Sequence, residues 1–260
     1  MEKGEEKMNE NELSRTAEKI EEFIKRKVRE ANANGVVVGL SGGIDSTTTA
    51  FLCVRALGKE RVLGVIMPEK GVTPEEDVKD AIEVCRILGI NYKIVEISDI
   101  FNAFIRVLGK SNKISEGNLK ARIRMCILYY FANSMNYLVA GTGNKTELML
   151  GYFTKYGDGG VDFLPIGGLY KTEVRELAKF LGVPEKIISK PPSAGLWRGQ
   201  KDEEELGMSY DEIDTILKAL ENGKKVEEID GARVKRILEM IEKSDHKRSL
   251  PETASTQEIL

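Results

Sequence analysis

Hydrophobic positions switch between two periods along the chain, and the switches outline its elements. Leu13, Ala17, Ile20, Ile24 and Val28 recur at the spacing of an amphipathic helix. Asn32-Ala-Asn-Gly35 ends that stripe, with Gly35 placed to cap it. Val36-Val-Val38 follows as a short β-branched run and reads as a buried strand. Thr47 to Leu57 reads as a helix, and Arg61 to Met67 as a second strand. Pro74 opens a helix with Val78, Ala81, Ile82, Cys85 and Leu88 on one face, closed by Gly89. Asn91 to Ile97 alternates as a third strand, and Asp99 is expected to cap a short helix. Gly117 to Met135 reads as a long helix with Ile123, Ile127, Tyr130 and Ser134 on one side. Tyr137 to Ala140 is a fourth strand, and Leu169 to Leu181 a helix stopped by Gly182-Val-Pro184. Two last helices carry the stripes Ile213, Ile216, Leu217, Leu220 and Val234, Ile237, Leu238, Ile241.

Residues 1 to about 11 lack periodicity and are expected to fray. Residues 189–209 carry Pro, Gly and the only tryptophan, Trp197, and are expected to form a mobile loop that orders over a ligand. Strands alternating with helices specify an α/β fold: a doubly wound, mostly parallel sheet flanked by helices, in one domain over residues 1–260. Ligands of such folds lie at the carboxyl ends of the strands, where the strand order reverses. The loops after the first and fourth strands, the two richest in chemistry, both fall there.

Composition removes several alternatives. Hydrophobic residues make up 41 % and charged residues 31 %, as in a water-soluble globular domain, and no apolar run has the length of a membrane span. The charged N-terminus does not read as a signal peptide. Cys53, Cys85 and Cys126 form no C-x-x-C and fall on apolar helix faces, so all three are expected to be buried thiols in a cytoplasmic protein. A net charge of −3 gives no global attraction to nucleic acid. A single histidine argues against a His-based metal site or a His-centred triad.

The loop after the first strand is Gly39-Leu40-Ser41-Gly42-Gly43-Ile44-Asp45-Ser46. A strand, a Gly/Ser turn and a helix together gather backbone N–H groups around an anion. Gly42 and Gly43 allow close approach to a phosphate, and Ser41 and Ser46 add hydroxyl donors. Asp45 would repel phosphates unless Mg²⁺ bridges them. Neither G-x-x-x-x-G-K-[ST] nor G-x-G-x-x-G is present, which sets aside the Walker and dinucleotide loops. An ordinary strand–helix turn is the plain alternative. The S-G-G-x-D-S pattern resembles the pyrophosphate-binding loop of the N-type ATP pyrophosphatases. After the fourth strand, Glu147 is a candidate second Mg²⁺ ligand, and Phe153-Thr-Lys-Tyr-Gly-Asp-Gly-Gly160 is too polar and Gly-rich for core.

That last stretch, with the first loop, resembles the ammonia-dependent NAD⁺ synthetases. Asn118 to Met125 is similar to the family's Arg-bearing helix, and Leu164 to Lys171 to its Lys segment. Lys190 to Trp197 is similar to its closing loop, and Asp202-Glu203, Leu206-Gly207, Tyr210, Ile213 and Asp214 to the stretch after it. His246-Lys-Arg248 with Pro251 is similar to its C-terminal segment. The resemblance implies an adenine nucleotide alpha-hydrolase-like fold. It implies adenylation of the carboxylate of deamido-NAD⁺ (nicotinic acid adenine dinucleotide) by ATP, then displacement of AMP by ammonia to give NAD⁺.

By position, Gly39 to Ser46, Thr142, Lys171 and Ser193 would hold ATP, and Asp45 and Glu147 would hold Mg²⁺. Arg122, Lys155, Asp162, His246 and Lys247 would bind the dinucleotide. Asp45, Lys171 and Asp158 would be catalytic, Asp158 by orienting or deprotonating ammonium. The family's closing loop often reads Pro-Thr-Ala-Asp; here Ser193 keeps the hydroxyl and Gly195 lacks the carboxylate. The resemblance also implies a homodimer, with the helix at 117–135 as the candidate contact. Some 35 residues precede the first strand, too few for a glutamine-hydrolysing domain, so ammonia is the expected donor; a separate ammonia-supplying subunit stays open. The rival readings are a GMP synthetase ATP subunit, a tRNA-thiolating enzyme and a nucleotide-binding regulatory module. Thiolation usually needs a paired or catalytic Cys and a basic face. A regulatory module would not need Glu147, Lys171 and residues 153–160 together.

Overall fold

Val36, Val37 and Val38 are all fully buried because their strand has a neighbour on each edge and helices over each face. The structure is a computed structural model and describes residues 8–223, 231–251 and 253–254. β1 (Gly35–Gly39) pairs in parallel with β2 (Val62–Ile66) and, on its other edge, with β4 (Tyr137–Ala140). β3 (Asn91–Ile94) pairs in parallel with β2, so the order is β3-β2-β1-β4. The chain winds outward from β1 to β3, then returns to the far side of β1. The reversal falls between β1 and β4.

Alternation along the strands divides the core. Val36, Val38, Val62 and Ile66 pack with α1 (Glu10–Glu30), α2 (Ile44–Leu57), α3 (Glu75–Leu88), α7 (Lys171–Leu181) and α8 (Glu185–Ile188). Val37, Leu63, Val65 and Val139 pack on the other face with α5 (Lys113–Met135). This is the doubly wound parallel sheet expected from the sequence. A smaller apolar cluster joins α6 (Lys145–Leu150), α9 (Asp202–Leu206), α10 (Tyr210–Glu221) and α11 (Gly231–Lys243) through Leu150, Leu206, Ile213, Leu217, Val234 and Ile237. Among the described residues no helix is long and apolar enough to cross a membrane.

Several boundaries differ from expectation, each for a local reason. α1 begins at Glu10 because Asn9 and Glu12 form a capping box; residues 1–7 of the stretch expected to fray lie outside the described residues. β3 stops at Ile94, since it is an edge strand with most of its residues exposed. Ile97 then turns into a separate cluster with Phe101 and Ile123. α4 (Ser98–Leu108) starts before Asp99, which lies in its first turn and is not its cap. α5 starts at Lys113 because the Asn112 side chain accepts from the Ser115 N–H at 2.9 Å. Of the expected α5 stripe, Ile123 is buried and Ile127 packs inward, whereas Tyr130 is 70 % exposed and Ser134 is exposed. The inward face instead runs through Gly117, Lys120, Ala121, Arg124, Leu128 and Ala132, and its two cations mask the apolar period. Cys53 and Cys85 are buried, but Cys126 is exposed. Residues 189–209 are not structureless: they include α9 and the buried Gln200, Asp202, Leu206 and Met208.

Asp214 on α10 ties two further helices into place. Its fully buried carboxylate accepts from the Thr146 hydroxyl in α6 and from the Thr172 N–H at 2.8 Å, in the first turn of α7. Asp214→Ala strands both donors, so unfolding free energy should fall by about 3 kcal/mol in denaturant titrations. A loss under about 0.5 kcal/mol would show that water replaces the carboxylate without cost.

Candidate active site

The chain leaves β1 through Leu40 and Ser41 and turns at Gly42, which holds φ +80°. A side chain there would bring a Cβ to 2.3 Å from the Asp77 carbonyl oxygen, so this position requires glycine. The Gly43 N–H donates to Ser41 Oγ at 3.2 Å, and the Ser41 N–H points to Ser46 Oγ at 3.3 Å. Ser46 Oγ and Thr47 Oγ1 donate in turn to the Gly43 carbonyl, at 3.1 and 2.8 Å. The loop is closed by its own hydroxyls and leads into the N-terminus of α2. This is the local arrangement an anion exploits.

Across the switch point, β4 runs through Gly141 and Thr142 to Asn144, the cap of α6. The Asn144 side chain is fully buried and works in two directions. Its Oδ1 accepts from the Glu147 N–H at 3.0 Å, and its Nδ2 donates to Asp45 Oδ1 at 3.1 Å. Glu147 Oε2 accepts from the Asn144 N–H at 3.2 Å. Lys171 opens α7, is 3 % exposed, and places its Nζ between Asp45 and Glu147, in contact with the first and 3.4 Å from the second. Three residues from three separate elements thus converge at the carboxyl ends of β1 and β4.

Burial opposes the charged Lys171 ammonium, but Asp45 and Glu147 outweigh it and hold its pKa above the ordinary value. Burial, with the nearby Asp45 charge, pushes the Glu147 carboxyl up to about 8 against the pull of Lys171. Asp158 is reachable by solvent yet ringed by protein, and this desolvation raises its carboxyl. One of its oxygens accepts from the Thr154 N–H at 2.9 Å. Burial likewise raises Asp202, which accepts from Tyr152 and Tyr210 hydroxyls and from the Ala194 N–H.

These groups line a cavity of about 690 Å³. Its walls hold Gly39, Leu40, Ser41, Gly43, Ile44, Asp45, Ser46, Thr142, Glu147, Asp158, Lys171, Ser193 and Lys247. Gly42 lies behind the wall, with its carbonyl turned to Lys190. Lys247 donates to the Gly151 and Phe153 carbonyls at 2.8 and 2.9 Å.

Four residues expected to bind substrate lie outside this cavity. Arg122 donates to the Lys155 carbonyl at 3.2 Å, and Lys155 Nζ to the His246 carbonyl. His246 is exposed. Asp162 accepts from the Val139 N–H at 2.7 Å and from the Tyr129 hydroxyl at 3.1 Å, which fixes the segment beside β4. Asn144, Lys190 and Asp202 carry site geometry that the sequence reading did not assign to the site. For Asn144 the signal was present: an Asn three residues before Glu147 has capping-box spacing.

A phosphate loop after β1, facing a carboxylate–lysine cluster at the switch point, defines a nucleotide-binding α/β protein. Within that class the NAD synthase family pattern matches residues 16–251, and the chain belongs to this family. It is 59 % identical over 248 residues to the NH(3)-dependent NAD(+) synthetase of Archaeoglobus fulgidus, covering 95 % of this chain and 99 % of that protein. The corresponding enzyme of Methanocaldococcus jannaschii is 58 % identical over 245 residues, covering 90 % and 94 %. Among solved structures, NMN synthetase from Francisella tularensis superposes with a TM-score of 0.85 at 37 % identity, over 93 % of this chain and 98 % of that one. The NH3-dependent NAD synthetase from Campylobacter jejuni, in complex with the nitrate ion, gives 0.82 at 40 % identity, over 95 % and 100 %.

The raised Glu147 carboxyl has a consequence for stability. A folded pKa of about 8 against an ordinary 4.5 means that the folded state binds more protons between those values. Stability contributed by this group is therefore present below the unfolded pKa and lost as pH rises toward the folded one. Glu147→Gln should remove that slope: the variant should gain in melting temperature over the parent as pH goes from 5 to 8, measured without divalent cations. Parallel curves would show that Lys171 fully neutralises Glu147.

Proposed function

We propose that this chain amidates deamido-NAD⁺ with ammonia at the expense of ATP, giving NAD⁺, AMP and pyrophosphate. The observation that carries this reading is the convergence of Glu147 and Lys171 on Asp45 of the phosphate loop. A nicotinate carboxylate oxygen attacks the α-phosphorus of ATP, and pyrophosphate leaves. Ammonia then adds to the acyl carbon and AMP departs with the bonding pair. Negative charge accumulates on the phosphates in the first step, where preorganised donors and cations act most strongly. The N–H groups of Ser41 and Gly43, which here donate to Ser46 Oγ and Ser41 Oγ, would turn to the phosphates and, with Lys171, supply them from this chain. Asp158, on the cavity wall, would orient ammonium or take a proton from it.

Asp45 and Glu147 fit Mg²⁺ as ligands. They are hard oxygen donors, burial with the added charge of Asp45 pushes Glu147 up to about 8, and Asp45 belongs to the phosphate loop. When bound there, Mg²⁺ would offset the charge of the leaving pyrophosphate. Ser193 would approach the phosphates from the loop at 189–209, which we propose moves with ATP. Lys247 would meet the dinucleotide from inside the cavity. Arg122, Lys155, Asp162 and His246 would meet it only where it extends past the rim.

A second reading has two specific observations behind it. The Francisella neighbour is an NMN synthetase, and four of the residues assigned to the dinucleotide lie outside the cavity. The shorter acceptor would be nicotinic acid mononucleotide. The greater identity to NAD(+) synthetases favours the dinucleotide. We place the reaction in the cytoplasm. We further propose that two copies pair through α4 and α5, where Phe104, Val107, Leu108, Ile114 and Tyr130 are exposed.

Turnover with ATP, Mg²⁺ and ammonium or glutamine, offering both acceptors, tests the reaction. Faster use of deamido-NAD⁺ with ammonium supports it. Preference for the mononucleotide reassigns the acceptor, and no pyrophosphate release with either returns the chain to the wider ATP pyrophosphatase class. Asp45→Asn should keep the fold by circular dichroism and lose most turnover; near-normal kcat at saturating Mg²⁺ would reduce Asp45 to a turn residue. Light scattering should give twice the chain mass at micromolar concentration, and a monomer mass would remove the pairing proposal.

A further inference from the structure

Lys190 stands between the phosphate loop and α3. Its Nζ donates to the Gly42 carbonyl at 3.2 Å, to Asp77 Oδ1 at 2.7 Å and to Asp80 Oδ2 at 2.6 Å. An ammonium has three protons, so all of its donors are committed. Asp80 is buried and also meets Lys186 at 2.5 Å, which anchors this cluster to α3 and α8. The back of the loop rests on the first turn of α3, where the Asp77 carbonyl leaves no space beside Gly42.

We infer that Lys190 is a positioning residue for phosphate recognition, acting through the Gly42–Gly43 peptide. A trans peptide is planar, so its C=O and N–H point in opposite directions. With the Gly42 carbonyl held against Lys190, the Gly43 N–H is aimed away from α3, toward Ser41 Oγ on the cavity side. Released from Lys190, this flexible Gly-Gly peptide can rotate. It would then present a carbonyl oxygen to the phosphates where a donor is needed. Lys190 also balances Asp77, a carboxylate on the cavity wall that would otherwise repel an anion. The same residue opens the Pro191-Pro192-Ser193 segment of that wall, so one side chain sets both loop and strap.

This inference rests on the loop holding ATP phosphates, and the test separates the two ideas. Lys190→Met is compared with the unaltered protein in two assays. Calorimetric titration uses ATP with Mg²⁺ and, separately, adenosine. Hydrogen–deuterium exchange follows residues 39–46 without ligand. ATP affinity should fall about ten- to a hundredfold, the weight of a charge-assisted contact, with adenosine affinity unchanged. Exchange in the ligand-free loop should quicken severalfold. Lys190→Gln, which keeps a donor without the charge, should fall between the two proteins and guards against a folding failure of the first variant. Weaker ATP binding with loop exchange unchanged would overturn the inference in favour of direct phosphate contact. Equal losses for ATP and adenosine would reduce Lys190 to a support of the whole cavity. If the unaltered protein binds no ATP, the functional reading fails, while the exchange assay still reports whether Lys190 orders the loop.

Discussion

The buried ammonium of Lys171 is the constraint around which the ligand-binding end of the fold is arranged. An unpaired cation at 3 % exposure would be costly, and removing one partner of such a pair leaves the other uncompensated. The fold therefore has to bring Asp45 and Glu147 to it from the first turns of two different helices, α2 and α6. Parallel pairing of β1 with β4 does this, since it sets the ends of both strands side by side. Asn144 then fixes the Asp45 carboxylate through its side-chain amide and the Glu147 carboxylate through its backbone N–H, and Asp214 fixes the helix that carries Lys171.

Electrostatics of the same cluster explain why it is suited to anionic ligands despite its acidic content. Two carboxylates share one lysine, and burial, with the second carboxylate's charge, raises Glu147. Neutral loop donors lie beside them, so negative phosphates and a hard cation complete one another there. On α5, Lys120 pairs with Glu69 at 2.9 Å and donates to the Leu196 carbonyl at 3.0 Å. That contact ties the segment around Trp197 to α5, where the indole packs over Gly117 and under Lys113.

Much of this was legible in the sequence, and the failures have physical causes. The buried strands show as β-branched runs, and the phosphate loop shows because its Gly and Ser pattern has few other uses. The face of α5 was misread because inward-pointing Arg124 lines the cavity and buried Lys120 pairs with Glu69, and both break the apolar period. Lys190 was invisible as a site residue because its partners, Asp77, Asp80 and the Gly42 carbonyl, are more than a hundred residues away. The residues assigned to the dinucleotide came from resemblance alone. Of these, only Lys247 faces the cavity, while Asp162 is committed to the backbone beside β4.

The position of β4 also sets an order of assembly. β1, β2 and β3 are made in sequence, and β2 and β3 each pair with the strand before them, so three strands can join through single-helix crossovers. β4 must instead return to β1, and the contacts that lock this return, Asn34 to Met135 and Asn136 to Asn32, span 101 and 104 residues. Closing so long a loop costs chain entropy before any contact repays it. During synthesis the phosphate loop emerges early, but its carboxylate and lysine partners arrive only with β4, α6 and α7. The ligand-binding end is thus completed last, and an unfinished chain carries the loop without the chemistry.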